Sequence, residues 1–390
     1  MKSARPFFRL AVWLLIANPV VAGLPLAEPD SVGLDAQQLQ RIDAIVAEGL
    51  AEKKMPGCVV CVGRHGKIAF LKAFGQKQLE PSELPMTTDT VFDMASITKP
   101  MATATSIMLL IERGQLRLSD KVTSFLPEFA ANDKEPITIH DLLIHHSGLL
   151  ADNAIGDYDQ GPVEAIKRIC ELKLLNPIGT KFVYSDVNFI LLGEIVQRVS
   201  GKSVHEFSQA NVFRPLGMSA TGYLPNDELR ARTAPTEQRN GQWMRGEVHD
   251  PRAFKLGGVA GHAGLFSSAE DVAIYAQMLL GQGEYGGVRV LSPQTVARMI
   301  RGDRVSSGVR GLGWDKRTGY STNRGELLSE SAFGHGGFTG TVLWIDPDLD
   351  LFFVFLSNRV HPNGKGLVNP LAGRIATVVA SAVRDVPSKR

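Results

Sequence analysis

TTDTVFDMASITKPMATATSIMLLIERG, residues 87–114, passes from turn residues through a short strand-like run into an apolar helix, with Ser96-Ile97-Thr98-Lys99 at the join. The spacing predicts a buried helix beginning at Lys99 to Pro100, because Pro is tolerated in a first helical turn where its missing N–H is not needed. Residues at i and i+3 share a helix face, with Cβ atoms roughly 5–6 Å apart, so Ser96 can offer its hydroxyl to the amine of Lys99. A serine becomes nucleophilic when a base takes its proton, and a lysine desolvated by apolar walls, with its pKa depressed, can be that base. Backbone N–H groups at the helix start would favour an oxyanion at Ser96. One Ser-x-x-Lys in a chain of 390 residues also arises by chance, so the motif needs partners elsewhere.

Two later segments supply them. Tyr184-Ser185-Asp186 stands in KFVYSDVNFILLGEIVQRVSG, where an extended run meets an apolar-periodic helix, which puts the tyrosine at a corner free to face a cleft. His335-Gly336-Gly337 precedes FTGTVLWIDPDLDLFFVFLSN, read as two strands around the turn Asp346-Pro347-Asp348. His-x-Gly also occurs at His146 and His262, but only the copy at His335 heads a strand.

With these three motifs in order, the chain resembles the serine β-lactamase and penicillin-binding protein superfamily, and most closely its class C-like branch of esterases, D-aminopeptidases and DD-carboxypeptidase-like proteins. The resemblance spans about residues 30–385 and includes ITIHDLLIHHSGLL at 137–150 and GLGW at 311–314. It implies Ser96 as nucleophile, Lys99 as base, Tyr184 as second proton-transfer residue, and the N–H groups of Ser96 and Phe338 as oxyanion hole. It also implies a substrate surface made by Asp186, His335, Gly336 and Gly337, and His262 is a further candidate for that surface from its glycine-rich loop. Two departures stand out. Asp186 replaces the family's usual Asn, and an ionised carboxylate only accepts hydrogen bonds, so it would either repel an acidic substrate or pair with Lys99. His335-Gly336 replaces Lys-Thr, removing a fixed cation and a hydroxyl that would meet a substrate carboxylate; an unperturbed His335 would titrate near a pKa of about 6.5.

The expected fold is α+β, an antiparallel sheet flanked by helices, with an inserted mostly helical domain. Residues 30–95 and 305–390 would form the sheet domain, 96–304 the helical one, and the site would lie between the two lobes. Residues 1–22 read as a signal peptide: Lys2, Arg5 and Arg9 precede an apolar run that Pro19 breaks. That implies a periplasmic or secreted protein with no stable membrane span after cleavage. Losing those three basic residues takes the formal charge from +2 to −1, and no basic tract invites nucleic acid.

No cofactor and no metal are expected. ITIHDLLIHHSG has no HExxH spacing, so His140, His145 and His146 read as capping and packing residues. The run LGGVAGHAGLFSSAED lacks a phosphate-loop pattern, with no clear strand leading into it, and reads as a close-passing loop before a helix capped at Ser267 or Ser268. No G-x-S-x-G is present. Three cysteines are too few for a disulfide framework; Cys58 and Cys61, three apart on a strand, would face opposite sides, and Cys170 reads as a buried helix residue.

The function expected is an exported serine hydrolase working by two-step acyl transfer on D-amino-acid peptides or small esters. Its partner would be a small-molecule or peptidoglycan-derived substrate. A class C-like β-lactamase, or a catalytically poor protein that holds peptidoglycan fragments, stays open beside it.

Overall fold

The computed structural model describes residues 23–385, so the expected signal segment lies outside the described residues. A nine-stranded antiparallel sheet forms the frame. Its centre is β1 (Gly57–Arg64), β2 (Lys67–Gln78), β3 (Phe333–Gly337), β4 (Thr341–Asp346) and β5 (Leu351–Ser357). In space they run β3-β4-β5-β1-β2, so strands near both ends of the chain meet at the β5–β1 pairing, where Cys61 sits opposite Val354. Short strands at Asp303–Val305, Gly308–Arg310 and Asp315–Arg317 extend the edge beyond β3.

Alternation along these strands decides which side each residue serves. Cys58, Val60 and Val62 of β1 face a core shared with α1 (Ala36–Ala51) and α3 (Asn369–Ser381). Val59 and Cys61 face the larger core under the central helices. Cys58 and Cys61 therefore point to opposite faces, as a two-residue side-chain period requires, and burial pushes both thiols above their ordinary range. Cys170 ends the helix Pro162–Cys170 and is buried. The tight turn between β1 and β2 falls at His65-Gly66, both with positive φ.

Two local expectations need correction. His335 does precede the two expected strands, β4 and β5, but it also lies inside a strand of its own, β3, opposite Leu343 of β4, so the segment contributes three strands. As expected, it is not a strand but the short helix Pro251–Lys255 that leads into the glycine-rich loop; a strand, Leu265–Ser268, follows the loop. It pairs with Val91–Asp93 and Gly222–Tyr223 in a small sheet that hydrophobic periodicity over four residues could not reveal. The helix after Ser96 opens with widened π-type turns over Lys99–Ala104 before continuing as an α-helix over Thr105–Glu112, a local irregularity often found at functional sites. Ser268 caps the following helix, Ala269–Leu280, by accepting from the N–H of Asp271.

Candidate active site

Ser96 sits in a tight turn, Ala95–Ile97, stacked against β3. Its neighbour Ala95 is buried with φ of 44°, a left-handed conformation that costs a residue with a Cβ about 1–3 kcal/mol and persists only where the surroundings enforce it. Here they do. The N–H of Ala95 donates to Asp93 Oδ1 at 2.8 Å, and Met94 N–H donates to Leu265 at 2.9 Å. Thr339 and Thr341 hydroxyls donate to the carbonyls of Asp93 and Met94 at 2.7 and 3.1 Å. Those two threonines, one in the turn after β3 and one at the start of β4, tie that hairpin to the serine turn. Gly337 is the contact point: a Cβ there would lie 2.6 Å from the Met94 carbonyl. Phe338, the next residue, is largely exposed, with its ring stacked on His249 at 5.5 Å and the Arg359 guanidinium 4.5 Å from it.

Lys99 is fully buried, and its Nζ donates to Ser96 Oγ at 2.9 Å and to the His262 carbonyl at 3.2 Å. It also lies 2.6 Å from Asp186 Oδ1. Burial works to depress the lysine, but the Asp186 carboxylate and Tyr184 together outweigh it and hold Lys99 above its ordinary value. The expectation of a lysine depressed by desolvation is therefore wrong for the resting site. An acidic neighbour at bonding distance, with the Tyr184 oxygen beside it, stabilises the ammonium more than burial penalises it. Of the two roles open to Asp186, the structure selects the ion pair.

Asp186 opens α2 (Asp186–Ser200), with Ser185 as the capping residue that accepts from Asn188 N–H. Tyr184 stands at the corner just before it. Ser185 N–H donates to His145 Nδ1 at 3.0 Å, and the His145 ring packs 4.6 Å from that of Tyr184, so His145 braces the tyrosine corner. This is the packing role expected of it. His140 instead reaches Asp303 at 3.0 Å. The Tyr184 hydroxyl is buried near Ser96 and Lys99 without a well-formed bond to protein; burial raises its pKa, with Lys99 opposing, so it is a neutral phenol.

His262 comes from the glycine-rich loop, which passes so close to α2 that a Cβ on Gly193 would lie 3.0 Å from Gly261. It is buried, and its Nε2 bonds Asp250 Oδ1 at 2.9 Å. Burial works against Asp250, but His262 holds it well below the usual carboxylate range. Asp186, Asp250 and His262 bring ligand atoms within 4.8 Å of one another, the one grouping among the described residues that could hold a metal ion. A cation there would have to compete with the Lys99 ammonium.

His335 is buried beside these groups. Burial first, then Arg310 and Lys99, hold it well below its ordinary value, so it is neutral. The expectation of a histidine titrating near 6.5 in place of the family's lysine fails, because His335 is buried and two cations already stand around it. Gly336 has a physical reason in Asn323: a Cβ at position 336 would lie 2.5 Å from Asn323 Nδ2, while Asn323 Oδ1 accepts from Trp344 Nε1 at 3.0 Å. Ser96, Tyr184, Asp186, His262, His335, Gly336, Gly337 and Phe338 all line one cavity of about 620 Å³. Sequence reading missed Arg310, Asn323 and Tyr320 on its wall. Arg310 immediately precedes GLGW and could have been noticed there; Tyr320 and Asn323 lie in a loop without periodicity, and only the fold brings Tyr320 5.0 Å from Tyr184.

The beta-lactamase family model matches residues 42–377. The chain belongs to the serine β-lactamase and penicillin-binding protein family. It is 32% identical over 387 residues, 89% of each chain, to a protein of Salmonella agona (strain SL483) provisionally named a D-alanyl-D-alanine carboxypeptidase. It is 32% identical over 379 residues to an N-acetylmuramyl-L-alanine amidase of Bacillus subtilis (strain 168), covering 86% of this chain and 85% of that one. Among solved structures, EstCE1, a hydrolase with promiscuous acyltransferase activity, superposes with a TM-score of 0.71 at 23% identity, over 88% of this chain and 99% of that one. The chain is a serine hydrolase of this family, with the β-lactamase/transpeptidase-like fold: an antiparallel sheet flanked by helices. Among the described residues, no helix is long and apolar enough to cross a membrane.

Proposed function

We propose that this member of the β-lactamase family is an exported acyl hydrolase that works through Ser96 on peptidoglycan-derived peptides, with small esters as accessory substrates. Lys99 passes a proton to Asp186 and takes that of Ser96, whose Oγ attacks the substrate carbonyl. The N–H groups of Ser96 and Phe338 hold the oxyanion. The proton taken from Ser96 returns through Lys99 and Tyr184 to the leaving group, and water then attacks the acyl-serine by the reverse path to release the acid. His262, His335, Gly336 and Gly337 line the substrate's path, and export rests on the basic and then apolar segment 1–22. The sheet lobe of 30–95 and 305–390 and the helical lobe of 96–304 would enclose the substrate between them.

The observation that carries this reading is the chain of contacts from Ser96 Oγ to Lys99 Nζ at 2.9 Å and on to Asp186 at 2.6 Å, opening on a cavity of about 620 Å³. A cavity of that size suits a ligand larger than a simple ester, and the named relatives in Salmonella agona and Bacillus subtilis have cell-wall names. The test is intact-mass detection of an acyl adduct after mixing with D-Ala-D-Ala peptides, muramyl peptides, p-nitrophenyl esters and penicillins. A peptide-derived adduct that disappears in Ser96→Ala is expected. Retention of the adduct in Ser96→Ala, or reaction with penicillins alone, would overturn the reading.

A further inference from the structure

One of the acceptors around the Lys99 ammonium is a main-chain carbonyl. An ammonium has three N–H donors. Lys99 Nζ donates to Ser96 Oγ at 2.9 Å and to the His262 carbonyl at 3.2 Å, and pairs with Asp186 Oδ1 at 2.6 Å. The carbonyl belongs to residues 261–264, where Gly261 and Gly264 give the backbone a freedom that contacts from outside the loop must remove. Two ties hold its flanks: the Thr103 hydroxyl donates to the Gly261 carbonyl at 2.6 Å, and Leu265 N–H donates to Thr98 Oγ1 at 3.1 Å. Between them the loop is held by the His262 ring, which is buried and bonds Asp250 Oδ1 through Nε2 at 2.9 Å. Asp250 is ionised, so this bond is charge-assisted.

Asp250 is itself fixed from two directions. Its Oδ1 also accepts from the N–H groups of Arg252 at 2.9 Å and Ala253 at 2.8 Å, capping the short helix Pro251–Lys255. The N–H of the preceding residue, His249, donates to Asp93 Oδ2 at 2.7 Å, while Asp93 Oδ1 accepts from Ala95 N–H at 2.8 Å. These contacts close a ring that runs from the serine turn to Asp93, on to residues 249–250, across Asp250 to His262, and through Lys99 back to Ser96. Capping a five-residue helix calls for no buried imidazole on the same oxygen, so the His262 bond needs a second reason.

Resting on the acyl-transfer reading above, we infer that Asp250 is a positioning residue of this enzyme: through the His262 ring it fixes the carbonyl that accepts from Lys99, and so keeps Nζ aimed at Ser96 Oγ. It acts on the reaction through Lys99 and not on the substrate.

Asp250→Ser separates this role from capping, since serine caps a helix about as well as aspartate but is too short to hold the imidazole as well. Asp250→Asn keeps an oxygen in the place of Oδ1. The measurement is the rate at which a fluorophosphonate labels Ser96, followed by intact mass on protein shown to be folded by circular dichroism. Asp250→Ser should slow labelling by about tenfold or more, as small misplacements of reacting groups do, and Asp250→Asn should restore most of the rate. His262→Ala should slow it as much as Asp250→Ser, and the two together no more than either, because they act as one unit. In a Lys99→Met background, Asp250→Ser should make no further difference, whereas a general loss of packing would. Labelling of Asp250→Ser at the wild-type rate, Asp250→Asn as slow as Asp250→Ser, or a further loss in Lys99→Met overturns the proposal. If Asp250→Ser does not fold, His262→Ala decides by the same two comparisons, against wild type and within Lys99→Met. Slow labelling of Lys99→Met beside fast labelling of Asp250→Ser sinks the role of Asp250 alone; wild-type labelling of Lys99→Met sinks the acyl-transfer reading itself.

Discussion

Lys99 Nζ lies 2.6 Å from Asp186 Oδ1, and this contact sets the charge of the whole site. Burial acts to lower the lysine, and the carboxylate together with Tyr184 holds it above its ordinary value, as an ammonium. With the Tyr184 phenol neutral as well, no strong base touches Ser96 in this state, and the proposed mechanism requires Lys99 first to give its proton to Asp186.

Asp186→Asn should therefore change the pH profile more than the rate maximum. Without the carboxylate, burial is the dominant influence on Lys99 and its pKa falls. The variant's kcat/KM should rise with pH through a new ionisation below the ordinary lysine range, a limb that the wild type lacks. Lys99→Met should cost at least a thousandfold at every pH, since general-base roles contribute about 10² to 10⁴ and positioning is lost as well. An Asp186→Asn profile superimposable on the wild type would show that Asp186 does not govern Lys99.

Ser96→Ala should abolish labelling by a fluorophosphonate probe and reduce turnover at least a thousandfold. Adding Lys99→Met should make little further difference, because members of one catalytic unit are non-additive. Probe labelling retained in Ser96→Ala would place the nucleophile elsewhere.

His335 is held neutral by burial, Arg310 and Lys99, so activity should not follow its titration. Between pH 5.5 and 8, penicillin and ester turnover should keep a constant ratio. A rise in penicillin turnover towards acid with a midpoint near the usual histidine value, removed by His335→Asn, would contradict this.

Gly336→Thr restores the residue type common in the family, but its Cβ meets Asn323 Nδ2 at 2.5 Å, and Asn323 is fixed by its bond from Trp344. The substitution should lower stability by about 1–3 kcal/mol, as overpacking does. Pairing it with Asn323→Ala should recover much of that loss in urea unfolding. Equal stability of Gly336→Thr and wild type would mean that Asn323 moves freely.

Away from the cleft, Asp271 is buried at the start of the helix Ala269–Leu280, and burial raises its carboxyl to about 6 despite hydrogen bonds from Thr221 and Ala220. The native state binds this proton more tightly than the unfolded chain does. Its contribution to stability is greatest below the usual carboxylate value and is lost as pH rises through about 6, a total of about 3 kcal/mol. The urea midpoint of Asp271→Asn should fall less than that of the wild type between pH 4.5 and 7.5. Parallel declines would exclude Asp271 as the source.

Much of the frame was legible because it depends on local rules. Period-two alternation in β1 placed Cys58 and Cys61 on opposite faces, and the turn chemistry of His65-Gly66 and Asp346-Pro347-Asp348 located the hairpins. Ser96, Lys99, Tyr184 and His335 were found by the order of their motifs, and they line or adjoin one cavity. Charge states were not legible, because a pKa depends on neighbours in space. Asp186 is 87 residues from Lys99, and Arg310 is 25 from His335; neither distance along the chain says which charge a buried group will meet. The left-handed Ala95 is likewise a tertiary product: no local preference selects it, and it is held by bonds from strands and turns that only folding brings against it. The sequence alone thus determined most strands of the main sheet, the turns, and the residue types around the proposed nucleophile. Only the packing of distant segments decided that the lysine is charged and the histidine neutral.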